Sequence, residues 1–167
     1  MDEIAERLAI NTLLNTYTIN GDRGNVAALS EVFAEDGILE NSNWRAVGRK
    51  GIIKALSGDK GTPPPERAPG SRGGTRGRIM RHHLTSSLVE FTGPDTATAR
   101  TYWINYTEHG PDHSGLYADK IKKINGRWQI IHRDVRLDWI ALDARQPAGT
   151  VAGPRSADAG PIEVITG

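Results

Sequence analysis

The second half of the chain alternates apolar and polar residues with a period of two, the pattern of half-buried β-strands. This alternation predicts four long strands, over residues 80–91, 96–108, 116–124 and 127–137. Gly and Pro turns and Asn125-Gly126 separate the strands, and Asn-Gly between apolar runs is a strong hairpin signal. Because the turns are short, the strands should form an antiparallel sheet, which residues 139–142 could close.

The first half of the chain is mainly helical. Ile10, Leu13, Leu14 and Tyr17 share one helical face, which predicts a helix over residues 2–20 that stops near Gly21. Apolar spacing also predicts helices over residues 26–34 and 48–56, with short strands over 37–40 and 44–47 between them. Helices collected before a sheet indicate an α+β fold, with helices packed on one face of a curved antiparallel or mixed sheet.

Two segments differ in composition from the rest. Nine of the 20 residues from 59 to 78 are Gly or Pro and four are Arg (Arg67, Arg72, Arg76 and Arg78), so we interpret the segment as a long loop. It could be a lid, a binding loop or a flexible insertion. Residues 144–167 are rich in Gly, Pro and Ala and should form a C-terminal extension, packed on a neighbouring subunit, to a domain over residues 1–143.

Composition excludes several classes of protein. The 167 residues suit one domain, and the absence of cysteine excludes disulfides and thiolate metal sites. A net charge of +1 argues against nucleic acid as a partner. The charged N-terminal residues do not form a signal peptide, and no apolar run approaches the roughly 18 residues of a membrane span. We therefore expect a cytoplasmic protein without a membrane partner.

The strongest chemical signal is one histidine and one acid. Alternation along the strand places His82 on the face of Met80 and Leu84, whereas His83 points to the opposite face, so the pair is a poor metal site and no metal is expected. Asp22, just past the first predicted helix, is the candidate to orient His82. Such a pair would be a general base, which contributes on the order of 10²–10⁴-fold in rate. Alternatively, His82 is only a packed residue and Asp22 only a turn residue.

Short motifs, in a fixed order, support a relationship to one family. They are Asp22-Arg23-Gly24-Asn25, Phe33-Ala34-Glu35-Asp36-Gly37, Gly48-Arg49 with Ile52, Arg81-His82-His83 with Thr85, and Tyr117, Asp119, Gly126, Trp128 and Arg133. From residue 4 to residue 139 the chain resembles the SnoaL-like branch of the NTF2-like superfamily, and within it the scytalone dehydratase-like lyases that carry an Asp–His dyad. The resemblance implies a cone-shaped α+β fold with an apolar cavity, His82 as the base, Asp22 as its orienter, and no cofactor.

The resemblance also implies a reaction class. We expect a cofactor-independent lyase, either a dehydratase or a retro-aldol enzyme that releases formaldehyde, acting on a hydrophobic aromatic or polycyclic small molecule. The alternatives are an isomerase or polyketide cyclase with the same base, and a non-catalytic ligand-binding module. A carboxylate–imidazole distance within about 3.2 Å favours the enzyme. The family resemblance and the long sheet favour a homo-oligomer, a trimer before a dimer.

Aromatic residues are the main candidates for substrate binding. They are Tyr17, Phe33, Trp44, Trp103, Tyr106, Tyr117 and Trp139. Arg133 is a further candidate, although we expect it to pair with Asp119 on the adjacent strand. The chain departs from scytalone dehydratase at two points: Gly21 stands where a tyrosine precedes the aspartate, and the second histidine has no clean counterpart, His113 being the nearest.

Overall fold

The computed structural model describes residues 2–57, 79–144 and 162–167 of the chain. Three helices and seven strands occur in these residues: α1 (Glu3–Asp22), α2 (Val26–Ser30), β1 (Phe33–Glu40), β2 (Trp44–Val47), α3 (Gly48–Ser57), β3 (Met80–Gly93), β4 (Thr96–Thr107), β5 (Gly110–Ile124), β6 (Arg127–Ile140) and β7 (Glu163–Ile165). The predicted loop over residues 59–78 and most of the predicted extension lie outside the described residues.

The strands form one open sheet in the order β3-β4-β5-β6-β1-β2-β7. Strands β3 to β6 are an antiparallel meander, as the turn signals predict. Strand β1 then adds parallel to β6, and β2 pairs antiparallel with β1. Because the sheet is mixed and the helices pack against it, the predicted α+β fold is confirmed.

Helix α1 begins where Asp2 accepts hydrogen bonds from the backbone N–H groups of Ile4 and Ala5. Its buried residues are Ile10, Leu14 and Thr18. Ile10 and Leu14 pack against apolar residues of β4, β5 and β6, so α1 lies across the sheet. This packing places the last helical residue, Asp22, next to β3.

One carboxylate also ties the start of α1 to the sheet. Glu6 accepts hydrogen bonds from Lys123 Nζ at 2.6 Å and from Trp128 Nε1 at 2.5 Å. These hydrogen bonds hold the pKa of Glu6 below its usual value. The helix is therefore attached to the hairpin between β5 and β6 at one end and to β3 at the other.

The second predicted helix was too long, and the strand after it was too short. Helix α2 ends at Ser30 rather than residue 34, and β1 begins at Phe33 rather than residue 37. Phe33 pairs with Ile130 of β6 and is fully buried, so sheet pairing prevails over its helical spacing. The pairing shifts register between Phe33 and Ile38. Gly37 lies in this irregularity, where an added Cβ would come within 3.0 Å of the Ala34 and Ile130 carbonyl oxygens.

Two further differences concern strands. Strand β5 begins at Gly110 rather than residue 116, because the hairpin pairing with β4 already starts at Thr107 and Gly110. Strand β7 was not predicted: it pairs parallel with β2 and extends the sheet of its own chain. This part of the C-terminal segment therefore pairs with its own chain. Among the described residues, no helix combines the length and apolar character needed to span a membrane.

Candidate active site

The site is built around Asp22, the last residue of α1, and His82, which lies near the start of β3. His82 Nδ1 is 2.7 Å from Asp22 Oδ1. The backbone N–H of His82 also donates to both carboxylate oxygens, at 3.1 Å each. Because a carboxylate only accepts, Nδ1 must donate the hydrogen, which leaves the lone pair of the neutral ring on Nε2.

The His82 ring is partly open, whereas its orienting acid is buried. The exposed fractions of the side chains are 22% for His82 and 6% for Asp22. Asn105 Nδ2 is 3.4 Å from His82 Nε2, near the long limit of a hydrogen bond. Nε2 is therefore only weakly engaged in the free protein and is available to accept a proton.

A cavity of about 370 Å³ opens beside the dyad, between the helices and the inner face of the sheet. This volume lies within the range of small-molecule sites. Its walls are mostly apolar, with a few polar groups. The lining residues are Tyr17, Thr18, Gly21, Gly24, Val26, Leu29, Leu39, Asn41, Trp44, Leu56, Met80, His82, Trp103, His113, Tyr117, Val135 and Leu137.

Aromatic rings form the wall next to His82. Trp103 stacks on Tyr117 with ring centroids 5.5 Å apart, and its ring meets the His82 ring at an angle, at 5.9 Å. Tyr17 packs edge-on against Tyr117 at 5.7 Å. Burial is the largest influence on both phenols, and it raises the pKa of Tyr17 and raises that of Tyr117 well above its usual value. Both hydroxyls therefore stay protonated at neutral pH.

Arg133 lies behind this wall. It is fully buried and makes a two-pronged ion pair with Asp119, at 2.7 and 2.8 Å, which confirms the predicted pairing. Its guanidinium is 4.1 Å from the Tyr17 ring centroid and 4.4 Å from that of Tyr117. Burial alone would lower the pKa of Arg133, but the Asp119 carboxylate raises it above its usual value. The group is thus a permanent buried cation that supports two cavity residues.

The structure brings together only some of the predicted site residues. Tyr17, Trp44, Trp103 and Tyr117 line the cavity with His82, and Asp22 contacts that histidine. The lining does not include the other four, which are Phe33, Tyr106, Arg133 and Trp139.

Each of these four has a physical reason for its place. Phe33 is fully buried in the core formed by α2, β1 and α3. Tyr106 points to the opposite face of β4, where it packs on His83 with ring centroids 5.1 Å apart. Trp139, near the end of β6, is 48% exposed, and Arg133 is covered by the two tyrosines.

His113, which the sequence indicates only as the nearest counterpart of a second histidine, belongs to a second His–Asp pair at the cavity. His113 lines the cavity, and its Nδ1 is 2.7 Å from Asp112 Oδ2. Burial is the largest influence on the pKa of His113 and lowers it, with opposition from Asp112. The signal was present: His113 alternates in step with Tyr117, but the predicted strand started too late to include it.

Metal ligands do not converge elsewhere in the chain as far as the structure describes it: no group of three His, Asp or Glu side chains there is placed to hold an ion. The side chains of the site include two imidazoles, each held by a carboxylate, together with phenol and indole groups that line the same cavity.

Comparisons with known proteins agree with this architecture. The family model described as "SnoaL-like domain" matches residues 2–134. A candidate scytalone dehydratase from Novosphingobium aromaticivorans is 22% identical, with a TM-score of 0.67 over 95% of this chain and 97% of the other. A protein of unknown function from Mycobacterium tuberculosis is 23% identical, with a TM-score of 0.67 over 90% and 82%.

An NTF2-like protein with a cystatin-like fold, also from Novosphingobium aromaticivorans, is 22% identical, with a TM-score of 0.64 over 85% of this chain and 88% of the other. At these identities the likeness establishes the fold alone. No curated protein matches the sequence.

Proposed function

The chain belongs to the SnoaL-like domain family, and within that family we propose that it is a cofactor-independent lyase acting on an apolar, ring-containing small molecule. His82 would remove a proton from the substrate, and Asp22 would hold the His82 ring in the orientation needed. The observation that carries the proposal is the 2.7 Å contact between His82 Nδ1 and Asp22 Oδ1 at the edge of a 370 Å³ cavity. The fold shared with a candidate scytalone dehydratase supports the same reaction class.

In the dehydratase form of the reaction, His82 Nε2 takes a proton from the carbon next to a substrate carbonyl. The electrons of that C–H bond form the new C=C bond, and the C–O bond on the neighbouring carbon breaks. The departing hydroxide takes up a proton from the imidazolium and leaves as water. The ring returns to its starting state, so no external oxidant or reductant is needed.

In the retro-aldol form, His82 Nε2 takes the proton of a hydroxymethyl O–H group. The C–C bond then breaks, formaldehyde leaves, and the carbanion receives the proton back from the imidazolium. Both forms need a base held in one orientation and a hydrogen-bond donor that stabilises the negative charge developing on the substrate. Tyr17 and Tyr117 fit the second role, because both line the cavity and stay protonated at neutral pH.

The assembly and location of the protein are part of the same proposal. The outer face of the meander exposes large apolar side chains, among them Leu88 at 58% and Tyr102 at 53%. Covering these residues in a homo-oligomer would remove that apolar area from water. We favour a trimer over a dimer. Light scattering after size exclusion measures the state, and a monomer at micromolar concentration would contradict it. The absence of cysteine fits a cytoplasmic location.

The test of the lyase activity uses three variants. His82→Ala removes the base, Asp22→Asn removes the orienting charge, and His83→Ala is the matched control, because His83 faces away from the cavity. Each is incubated with a panel of hydroxylated aromatic compounds, with products identified by mass spectrometry and formaldehyde measured separately. We expect turnover by wild type and the control only.

The outcome also separates the competing functions. Loss of water or formaldehyde identifies the lyase, whereas a product of unchanged mass identifies an isomerase or a cyclase that uses the same base. Full activity in both dyad variants would sink the catalytic proposal. Tight binding without turnover of any compound would favour a ligand-binding module.

A further inference from the structure

Strand β7 lies at the edge of the sheet, where it pairs in parallel with β2 and also contacts α3. The pairing places Ile165 opposite Ala46, which is fully buried in the core formed by α2, β1 and α3. Ile165 is partly buried and packs against the same core, whereas its neighbour Val164 is 60% exposed. Because successive side chains of a strand point to opposite faces, Ile165 faces the core and Val164 faces away from it.

Helix α3 approaches the backbone of β7 so closely that only glycine fits at the contact. A Cβ added at Gly51 would lie 2.7 Å from the Ile165 carbonyl oxygen, which is shorter than van der Waals contact, so the helix or the strand would have to move. Ile52, the next residue of the helix, is fully buried in the core against which Ile165 packs. Strand β7 therefore fixes the position of α3 on the sheet.

Helix α3 stands between β7 and the cavity. Near its end it carries Leu56, which lines the cavity, and β2 contributes Trp44 to the same lining. Both side chains also pack against the core that Ile165 contacts. Among the described residues that line the cavity, none belongs to β7. Any influence of β7 on a bound molecule therefore passes through Leu56 and Trp44.

This end of the cavity is apolar. Leu29 of α2 and Leu39 of β1 accompany Leu56 and Trp44 there, whereas His82 stands on β3. A molecule whose reacting atom lies at His82 therefore extends its apolar part towards α2, α3 and β2. Each methylene group that is removed from water strengthens binding about 4-fold, so the position of Leu56 has a measurable effect on affinity.

We propose that Ile165 is a positioning residue that determines how long a substrate the cavity accepts, because it sets how far α3 carries Leu56 into the cavity. The inference rests on the proposed function for the identity of the cavity as the substrate site, and it extends that function to a selectivity for the length of the substrate's apolar part. A smaller residue at position 165 lets α3 settle towards β7 and lengthens the cavity, whereas a larger residue moves α3 inwards and shortens it.

The test uses 4-alkylphenols from 4-propylphenol to 4-octylphenol, which differ by one methylene group each. Titration calorimetry at pH 7.5 gives the dissociation constant of each compound. Wild type should gain about 4-fold in affinity per methylene group up to a limiting chain length and gain nothing beyond it. Ile165→Ala should move the limit to a longer chain, so that the first compound beyond the wild-type limit binds about 4-fold more tightly than it does to wild type. Ile165→Phe should move the limit to a shorter chain.

Val164→Ala is the matched control, because it trims a side chain of the same strand that faces away from the core. Its limit should equal that of wild type. Circular dichroism and thermal unfolding show which variants are folded, and Ile165→Val, a smaller deletion, should move the limit in the same direction as Ile165→Ala. A uniform loss of affinity across the series with an unchanged limit indicates a merely structural role and overturns the proposal, as does a wild type without any limit.

A direct readout comes from the methyl groups of leucine. Methyl spectra of leucine-labelled protein should show the Leu56 signals moving in Ile165→Ala and in Ile165→Phe but not in Val164→Ala. Unmoved Leu56 signals overturn the proposed route through α3. Because these experiments measure binding, a limit that moves in a protein without turnover supports the length selectivity and contradicts only the lyase. Turnover that depends on His82, with a limit that does not move, contradicts only the role of Ile165.

Discussion

The Asp22 carboxylate hydrogen-bonds to both the backbone N–H and the imidazole of His82, although the two residues are 60 positions apart in the sequence. The carboxylate accepts from the backbone N–H of His82 with both oxygens and from Nδ1 with one. The end of α1 is thereby attached to β3, so the orientation of the ring is linked to the packing of the helix.

Replacing Asp22 by Asn should lower kcat/KM by about 10²–10⁴-fold while the fold persists. The amide can still accept from the backbone, but its NH₂ group can donate to Nδ1, which moves the ring hydrogen to Nε2 and removes the basic lone pair. Steady-state kinetics on the substrate found in the panel measure the loss. Asp134→Asn, at a surface pair with Arg136, is the control. Equal rates in wild type and Asp22→Asn would show that Asp22 does not orient the base.

Replacing Arg133 by Met should lower the free energy of unfolding by about 3–5 kcal/mol, because Asp119 would stay buried without its partner. Arg136→Met removes a 54% exposed arginine from a surface pair and should change stability by no more than about 0.5 kcal/mol. Urea unfolding measures both. The double variant Arg133→Met with Asp119→Leu should recover part of the loss, and failure to recover any of it would contradict this account.

The burial of His113 should make stability depend on pH. Its pKa in the folded protein lies below the ordinary value of 6.5, so the unfolded chain takes up the proton first as pH falls. The free energy of unfolding should therefore decrease as pH drops below about 6.5. Asp112 opposes this effect and His82 adds to it.

The variant His113→Asn isolates the contribution of that one ring. Unfolding curves from pH 7.5 to 5.5 give the free energy of unfolding of wild type and variant. As pH falls, wild type should lose more of this free energy than the variant does. A difference that stays constant over this range would mean that His113 has an ordinary pKa.

Adding a methyl group at Gly115 should distort the cavity wall. An added Cβ would overlap the Arg136 carbonyl oxygen and lie 2.8 Å from Trp103 Cζ2. We expect Gly115→Ala to cost about 1–3 kcal/mol of stability and to weaken ligand binding. Gly21→Ala is the matched control for stability, because its Cβ would make an ordinary 3.4 Å contact with Leu29. Equal stability of the two variants would contradict the close packing described here.

The long helices and strands were predictable from periodicity. The predictions that were wrong concern residues whose secondary structure depends on tertiary contacts. Helix α1 follows from the helical spacing of its apolar residues, and strand β3 follows from the alternation of apolar and polar residues. Phe33 satisfied a helical face and a strand equally well, and only its pairing with Ile130 decides between them. Strand β7 is three residues long and has meaning only beside β2, which no local pattern reveals.

The site was partly predictable for a similar reason. Asp22 and His82 carry recognisable motifs, and alternation places the histidine on the inner face. The sequence indicates His113 only as a poor match to a second histidine, because the predicted strand begins at residue 116 rather than 110 and leaves His113 outside it. Among the aromatic candidates, alternation places Trp103 and Tyr106 on opposite faces of β4, but only their packing shows that Trp103 is the one facing the cavity.

His82 and His113 stand on strands of the sheet, whereas Leu29 and Leu56 border the same cavity from α2 and α3. Trimming or enlarging those helical side chains would lengthen or shorten the space for a guest without disturbing the spacing between the imidazoles. The sheet would thus determine which chemical groups of a substrate meet the imidazoles, whereas the helices would determine how large a substrate fits. Redesigning the helical wall alone could therefore admit new substrates.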